Sequence, residues 1–463
     1  MAMGPALPFA TSAAAQSEPA NGRRPNFIIL LTDDHGYHDL GCQGAMDVKT
    51  PYLDGLAASG VRFTNWYSGG ASCVVARTSL LTGRYPNRTH AIPTYRRRSG
   101  NPGPAWHLPA SELTIASLLK TAGYTTGMTG KWHLGSTPDS VPNAHGFDSF
   151  FGFHEGCIDY YSHRFYWGEP RRANFHDLWR NRTEIFEDGQ YFTELITREA
   201  KNFITENHSK PFFLYVPYNG VHYPMHAPRK YVERFPDLEP ERRMYAAMLS
   251  AVDDSVGEIV GLVRKLGLLE NTFIFYAADN GATREARAGL NQQPATAGND
   301  FPFRGFKWSL FDGGMHVPAI MSWPGRIPPR QVAQEVGCHI DILPTFCKAA
   351  GVSLPGDRAI DGRDVLPMAA SGAKSPHDAL FWASDGQLAA RRGNWKVVEN
   401  GHPYDSVAKG PLQGDDALFL SNLKEDPGES RNRRHDEPAV ADELTTLAHH
   451  WLESIEKENR TEP

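Results

Sequence analysis

Three stretches of the chain are apolar at almost every position, where an amphipathic element would be apolar at every second or third. Asn26-Phe27-Ile28-Ile29-Leu30-Leu31-Thr32 stops at Asp33-Asp34-His35-Gly36. Pro211-Phe212-Phe213-Leu214-Tyr215-Val216 ends near Asn219 and His222, and Thr272-Phe273-Ile274-Phe275-Tyr276-Ala277-Ala278 stops at Asp279-Asn280-Gly281. Continuous runs of this length predict strands buried on both faces, as in a parallel sheet. Thr125 to Thr129 reads as a further strand.

Helical spacing lies between these runs. Pro51 to Ser59 places Leu53, Leu56 and Ala57 on one face, and Tyr245 to Leu266 repeats Met248, Val252, Val256, Ile259 and Val260 on another. Ser111 is the expected cap of a helix carrying Ile115, Leu118 and Leu119 and closed by Gly123. Alternating strands and helices predict an α/β architecture. Near residue 370 the texture changes to short strand patterns at 379–382, 387–390, 395–398 and 417–420, followed by a helical pattern from Pro438 to Ile455. The boundaries read as a tail over 1–25, a large unit over 26–370 and a small α+β unit over 371–463.

Composition narrows the class without naming it. A chain of 463 residues with 40% hydrophobic and 22% charged positions buries a large core. Its formal charge of -6 argues against a general nucleic-acid binder. No stretch is long and apolar enough to span a membrane. The five cysteines, Cys42, Cys73, Cys157, Cys338 and Cys347, are widely spaced and form neither a zinc pattern nor a disulfide framework, although one or two disulfides remain open. Within 1–25, Thr11-Ser12-Ala13-Ala14-Ala15-Gln16 resembles the small-residue end of a secretory signal, so export to a periplasmic or extracellular space is expected.

Polar groups at the ends of buried parallel strands are where an open α/β sheet builds its site. Asp33, Asp34, Asp279 and Asn280 fall at such ends. Three carboxylates brought together repel unless a cation joins them, and hard oxygen donors suit Ca²⁺ or Mg²⁺ rather than zinc. A second concentration of chemistry is Cys73-Val74-Val75-Ala76-Arg77, preceded by Gly69-Gly70-Ala71-Ser72 and followed by Leu81-Thr82-Gly83-Arg84. One helical turn separates Arg77 from Cys73, a placement suited to an anionic nucleophile.

Together these segments resemble the formylglycine-dependent type I sulfatases of the alkaline phosphatase superfamily. Their signature is Cys-x-Pro/Ala-x-Arg followed by Leu-Thr-Gly-Arg, and Val75 departs from it. Asp33-Asp34-His35-Gly36-Tyr37 and Asp279-Asn280-Gly281 match the family's metal motifs. Gly130-Lys131-Trp132-His133-Leu134-Gly135 matches its sulfate-binding hexapeptide, with Lys131 and His133 on one side if the segment is extended. His222 and Lys307, the latter before Gly313-Gly314, match two further segments, and the likeness runs to Asp426-Pro427-Gly428-Glu429. It implies a large, mixed but mostly parallel central sheet flanked by helices, with a smaller C-terminal unit carrying a short antiparallel sheet. It also implies a sulfuric ester hydrolase.

The cofactors so implied are one divalent cation, Ca²⁺ before Mg²⁺, held by Asp33, Asp34, Asp279, Asn280 and the modified Cys73. A maturation enzyme oxidises Cys73 to formylglycine. Lys131, His222 and Lys307 bind sulfate, Arg77 holds the formylglycine, His133 regenerates the aldehyde and His222 protonates the leaving alcohol. His316 reads as structural.

The implied substrate is a sulfated hexose or N-acetylhexosamine. The segments expected to set specificity are Thr94 to Arg98, Asp159 to Arg164 and Arg284 to Arg287, their arginines suited to anionic groups on a sulfated sugar, with Trp106, Trp167 and Trp179 as stacking platforms or core. Two alternatives stay open. One is a phosphonate monoester or phosphodiester hydrolase on the same framework; the other is a non-catalytic glycan-binding relative in which Val75 blocks maturation. Oligomeric state is not legible in the chain.

Overall fold

The computed structural model describes residues 23–91, 107–166, 174–290, 293–404 and 410–461. Its strands are β1 (Asn26–Thr32), β2 (Val61–Phe63), β3 (Trp66–Tyr67), β4 (Thr125–Lys131), β5 (Ser149–Phe153), β6 (Trp179–Arg180), β7 (Thr183–Glu184) and β8 (Phe212–Pro217). There follow β9 (Thr272–Ala278), β10 (Ala319–Ser322), β11 (Gln331–Ala333), β12 (Gly337–Cys338), β13 (Leu380–Ser384), β14 (Gln387–Arg392), β15 (Trp395–Glu399) and β16 (Leu418–Asn422). The α-helices are α1 (Pro51–Ala58), α2 (Cys73–Thr82), α3 (Ile115–Thr121), α4 (Phe192–Asn207), α5 (Arg229–Val232), α6 (Pro240–Lys265), α7 (Asp312–Met315), α8 (Ile342–Ala350), α9 (Leu366–Ser371) and α10 (Pro438–Thr461).

The predicted parallel sheet is present. Ten strands lie in the order β11-β2-β10-β9-β1-β8-β4-β5-β6-β7. Its centre, β9, β1, β8, β4 and β5, is parallel throughout, and β10 runs antiparallel to β9. Alternate side chains of β1 enter two different cores. Ile28 and Leu30 join α1, α4 and α6 on one face, and Phe27, Ile29 and Leu31 join α2, α3 and α8 on the other. Each such buried side chain contributes about 1.5–3 kcal/mol, which is why both faces had to be apolar. Gly130 is required where β4 passes β8: it sits at φ 134, and a Cβ there would lie 1.9 Å from the Pro217 carbonyl oxygen.

Two expected boundaries move. The cap of α3 is Thr114, not Ser111: its hydroxyl accepts from Ser117 N at 3.1 Å, and Ser117 Oγ accepts from Thr114 N at 2.8 Å. The long helix begins at Pro240 rather than Tyr245, since proline at the first helical position loses no hydrogen bond. All five cysteines are free thiols, which closes the disulfide option. Among the described residues no helix is long and apolar enough to cross a membrane.

The C-terminal antiparallel sheet, β13-β14-β15-β16, is covered by α10. Its core is continuous with Tyr67, Leu310, Phe311 and Cys338 of the large unit. Gln387 is one fastener: its Oε1 accepts from Leu310 N at 3.1 Å and its Nε2 donates to the Trp308 carbonyl at 2.8 Å. The small sheet thus grips the segment that carries Lys307.

Candidate active site

Four parallel strands deliver their carboxyl ends to one edge of the sheet. β1 ends before Asp33 and Asp34, β9 before Asp279 and Asn280, β4 on Lys131, and β8 just before the loop with Asn219 and His222. Tyr160 fixes that loop, donating to the Asn219 carbonyl at 2.6 Å and the His222 carbonyl at 2.9 Å. Cys73 opens α2, and every residue of that helix is buried. Val75 is wedged against Gly70, where a Cβ would come within 2.8 Å of it. The Leu-Thr-Gly-Arg segment ends the helix: Gly83, at φ 68, donates to the Ser79 carbonyl.

The side chains converge. Cys73 Sγ lies 3.3 Å from Asp33 Oδ1 and 4.0 Å from Asp34 Oδ1. Lys131 Nζ reaches Asp33 Oδ2 at 2.5 Å, and Lys307 Nζ reaches Asp34 Oδ1 at 2.9 Å. Lys307 also lies 3.4 Å from His222 Nε2, while His222 Nδ1 is 2.7 Å from the Tyr223 carbonyl. Asp279 is joined through Asp34, whose backbone N donates to its Oδ1 at 3.1 Å. Asn280 Nδ2 donates to Asp34 Oδ1 at 2.8 Å.

Cys73 and Arg77, one helical turn apart, differ in what surrounds them. Arg77 does not present its hydrogen bonds to the sulfur. Its Nε and Nη2 bind Asp279 Oδ2 at 3.2 and 2.8 Å, and its Nη1 binds the Lys131 carbonyl at 2.9 Å. The Cys73 thiol is not poised as an anion either. Burial, reinforced by Asp33, pushes it well above the usual thiol range, against the pull of Lys131 and Lys307.

The carboxylates divide. Burial pushes Asp33 up, but Lys131, Arg77 and Lys307 outweigh it and hold it below the ordinary range. Burial, with Asp33 and Asp279 adding to it, raises Asp34 to about 7 despite Lys307. Asp279 is raised by burial and by Asp33. Such a set gains from a cation. Donor atoms of Asp33, Asp34, Cys73 and His222 lie within 4.8 Å of one another. Asn280 Oδ1 is buried with no hydrogen-bond partner, an oxygen suited to complete a hard-cation site.

His133 faces the same cavity, but not through an extended backbone. Its φ is 58, so a left-handed turn after β4 swings the ring inward. Burial, then the charge of Lys131 and Arg77, holds its pKa well below the ordinary histidine value. His222 is lowered in the same way, by burial and then Lys131 and Lys307.

The cavity above these groups has a volume of about 460 Å³ and is bounded by Cys73, His133, His222 and Lys307 at one end. His154, Phe165, Tyr223, Glu285, Arg287 and Trp308 also line it. Glu285 and Arg287 belong to the segment Arg284 to Arg287 expected to set specificity, although Glu285 was not named there; Trp308, beside Lys307, carried no separate expectation.

Asp159 to Arg164 does not line the cavity. Asp159 accepts from Tyr161 N and Ser162 N at 3.0 and 2.8 Å, and the segment buttresses the His222 loop through Tyr160. Arg284 stacks on Phe306, 3.9 Å from the ring centroid, and Trp179 donates to Asp177 at 2.7 Å. His316 is structural as expected, placed between Asp312 Oδ2 at 3.2 Å and the Thr64 carbonyl at 2.8 Å. Thr94 to Arg98, Trp106 and Trp167 lie outside the described residues.

Comparison with known proteins agrees with this geometry. The sulfatase family model matches residues 25–352. The N-acetylgalactosamine-6-sulfatase of Mus musculus is 35% identical over 390 residues, covering 81% of this chain and 71% of its own. An arylsulfatase of Hemicentrotus pulcherrimus is 34% identical, covering 88% and 77%. Among solved structures, Ps i-CgsB in complex with k-i-k-neocarrahexaose superposes with a TM-score of 0.79 at 29% identity over 93% of each chain. The phosphonate monoester hydrolase of Agrobacterium radiobacter shares the fold, with a TM-score of 0.63 at 19% identity over 94% of this chain and 96% of its own. With a buried Cys-Asp-Asp centre at the sheet's carboxyl edge and this match over most of its length, the chain belongs to the type I sulfatase family of the alkaline phosphatase superfamily and is a sulfuric ester hydrolase.

Proposed function

We propose that the protein hydrolyses a sulfate ester on a carbohydrate, a sulfated hexose or N-acetylhexosamine, at the Cys73 centre. The observation that carries this is the placement of Cys73 Sγ 3.3 Å from Asp33, at the cavity end that Lys307 and His222 also line. The mouse relative is an N-acetylgalactosamine-6-sulfatase by name, and the Ps i-CgsB structure is a complex with k-i-k-neocarrahexaose.

Oxidation of Cys73 to formylglycine by a maturation enzyme supplies a hydrated aldehyde as nucleophile, and a divalent cation, Ca²⁺ before Mg²⁺, supplies charge to ionise it and polarise the sulfate. Asp33, Asp34, Asp279 and Asn280 are the residues that would hold the cation. The remaining work falls to the chain's own side chains. Lys131 and Lys307 bind sulfate oxygens and offset charge that grows as the S–O bond breaks. In this buried setting each is worth far more than in water. Arg77 holds Asp279 and the Lys131 carbonyl in place, which makes it a positioning residue as well as a source of positive charge. His222, fixed through Nδ1 on the Tyr223 carbonyl, turns Nε2 toward Lys307; it is neutral beside the two lysines, takes up a proton when an anionic sulfate binds against them, and hands that proton to the departing alcohol oxygen. His133, kept neutral by burial, is ready to accept a proton when the aldehyde is regenerated.

Export to a periplasmic or extracellular space fits the small-residue start of the chain and is part of the same proposal. Val75 sits in the folded helix, whereas maturation reads an extended chain, so oxidation has to precede folding of α2.

Mass spectrometry of the peptide spanning Cys73 tests the nucleophile: a peptide lighter than the thiol form is expected from a host that has the maturation enzyme. An unmodified thiol in an active preparation would defeat the mechanism. An aryl phosphonate monoester turned over faster than an aryl sulfate would favour the phosphonate hydrolase reading.

A further inference from the structure

One carboxylate on the cavity wall is not used by the chemistry above. Glu285 lines the cavity with its side chain 17% exposed. Its Oε2 lies 3.3 Å from Lys307 Nζ, and its Oε1 lies 3.1 Å from Arg287 Nη2. Arg287 Nε in turn donates to the Tyr223 hydroxyl at 2.9 Å. Burial raises the Glu285 carboxyl, but Lys307 and Arg287 outweigh it and keep it below the usual range, so it is ionised at neutral pH.

These contacts place the carboxylate relative to the reacting end of the cavity. Lys307 is shared between Asp34, His222 and Glu285. With His222 at the leaving oxygen, as proposed above, Glu285 would stand one ammonium away from it, on the side of the ring carbons that adjoin the sulfated one. Arg287 gives little attraction to an anion there, because its guanidinium is tied to Glu285 and Tyr223. A second carboxylate, Glu155, also lines the cavity. A neutral hydroxyl brought to this wall gains an acceptor; an anionic substituent meets a fixed like charge in a partly dry site. Discrimination by built-in repulsion is a common route to specificity, and like charges brought together at a binding surface cost several kcal/mol.

We infer that Glu285 is a specificity-determining residue that selects a sugar whose sulfate is flanked by neutral hydroxyls, accepting a hydrogen bond from one of them and repelling a second sulfate or a carboxylate on the adjoining carbon. The inference rests on the proposed sulfatase reading of the same cavity, and it names the substrate class within it. It also reverses the expectation that Arg284 to Arg287 recruits anionic groups.

The test compares matured wild type with Glu285→Gln. The substrates are a monosulfated hexoside, the same hexoside with a second sulfate on the adjoining carbon, and an aryl sulfate as a control for the chemistry. Wild type is expected to show kcat/KM at least about tenfold lower on the disulfated sugar, with glutamine narrowing that ratio by about tenfold, mostly through KM. A ratio unchanged by the substitution, or a wild-type preference for the disulfated sugar, overturns the inference. The same ratio is read as affinity by calorimetry in Cys73→Ala and Cys73→Ala/Glu285→Gln proteins, so a variant with impaired turnover still gives a decision. Failure of wild type on all three substrates, aryl sulfate included, counts against the proposed function, and the affinity ratio then decides the role of Glu285 separately.

Discussion

Two buried clusters of charge lie at opposite ends of one short segment, from Lys307 to Asp312. The first gathers Asp33, Asp34 and Asp279 against Lys131, Lys307 and Arg77. The second gathers Asp312 and Glu429 against Lys396 and Arg391. Lys396 Nζ lies 2.6 Å from Asp312 Oδ1 and 3.1 Å from Glu429 Oε1. Tyr67 donates to Asp312 Oδ2 at 2.7 Å and itself accepts from Arg391, while Asp312 N donates to Glu429 Oε2 at 2.6 Å.

Both clusters balance acids with bases, so charge balance does not distinguish a site from a fastener. What differs is closure. In the second cluster both Asp312 oxygens are engaged. Burial raises that carboxyl, yet Lys396 and His316 outweigh it and hold it far below the usual range. Each cluster holds one carboxyl that burial raises to about 7, Asp34 in the first and Glu429 in the second, and only the first opens on a cavity, where Asn280 Oδ1 is left without a partner. Incomplete satisfaction beside a cavity is the mark of a place where something else binds.

The largest expected effect breaks the closed cluster. Lys396→Ala leaves two carboxyls buried without their ammonium and should cost about 3–5 kcal/mol of stability, read from the urea midpoint. Its kcat per folded molecule should fall far less than that of the site variants. Lys131→Ala should do the reverse: in calcium-containing buffer kcat drops by about 10²–10³, the scale for losing one preorganised donor to transition-state charge. Similar losses of stability and similar kcat in the two variants would erase the distinction drawn here.

Chelation with EGTA sharpens it further. Activity should vanish and return with added calcium, and the folded state should lose about 2.7 kcal/mol if the ion had been held at a hundred times its Kd. A thermal midpoint indifferent to EGTA and calcium would mean that the open cluster is satisfied by its lysines alone. The smallest effect is Tyr67→Phe, which removes the hydrogen bond to Asp312 and the one from Arg391 and should cost about 2 kcal/mol with kcat unchanged.

The sequence was most legible where a single local rule decides the outcome. β1 and β9 begin and end at the residues that bound their apolar runs, because a strand covered on both faces gains from an apolar side chain at every position. The short motifs around Asp33, Cys73, Lys131 and Asp279 could be read because each sits at a strand end or helix start and the topology brings those ends to one edge, while Lys307 reaches it from the turns before α7. Ser111 looked like a cap because it precedes a helical pattern. Thr114 caps instead, since only it has Ser117 three residues on to return the hydrogen bond.

The second cluster was not legible at all. Asp312 meets Lys396 and Glu429 from 84 and 117 residues away, and no local pattern announces a partner at such distance. Glu285 was hidden for a related reason. Its neighbours Arg284 and Arg287 suggested an anion-binding loop, whereas packing turns Arg284 onto Phe306 and ties Arg287 to the carboxylate between them.

The most direct measurement of the central claim is inorganic sulfate released from an N-acetylhexosamine sulfate and from an aryl sulfate by the matured protein, with Cys73→Ala prepared in parallel. Sulfate release by the wild type, and none above background by an equally folded variant, is the predicted result. Equal release by both proteins would contradict it, because the open cluster would then be splitting the ester without the residue around which it is built.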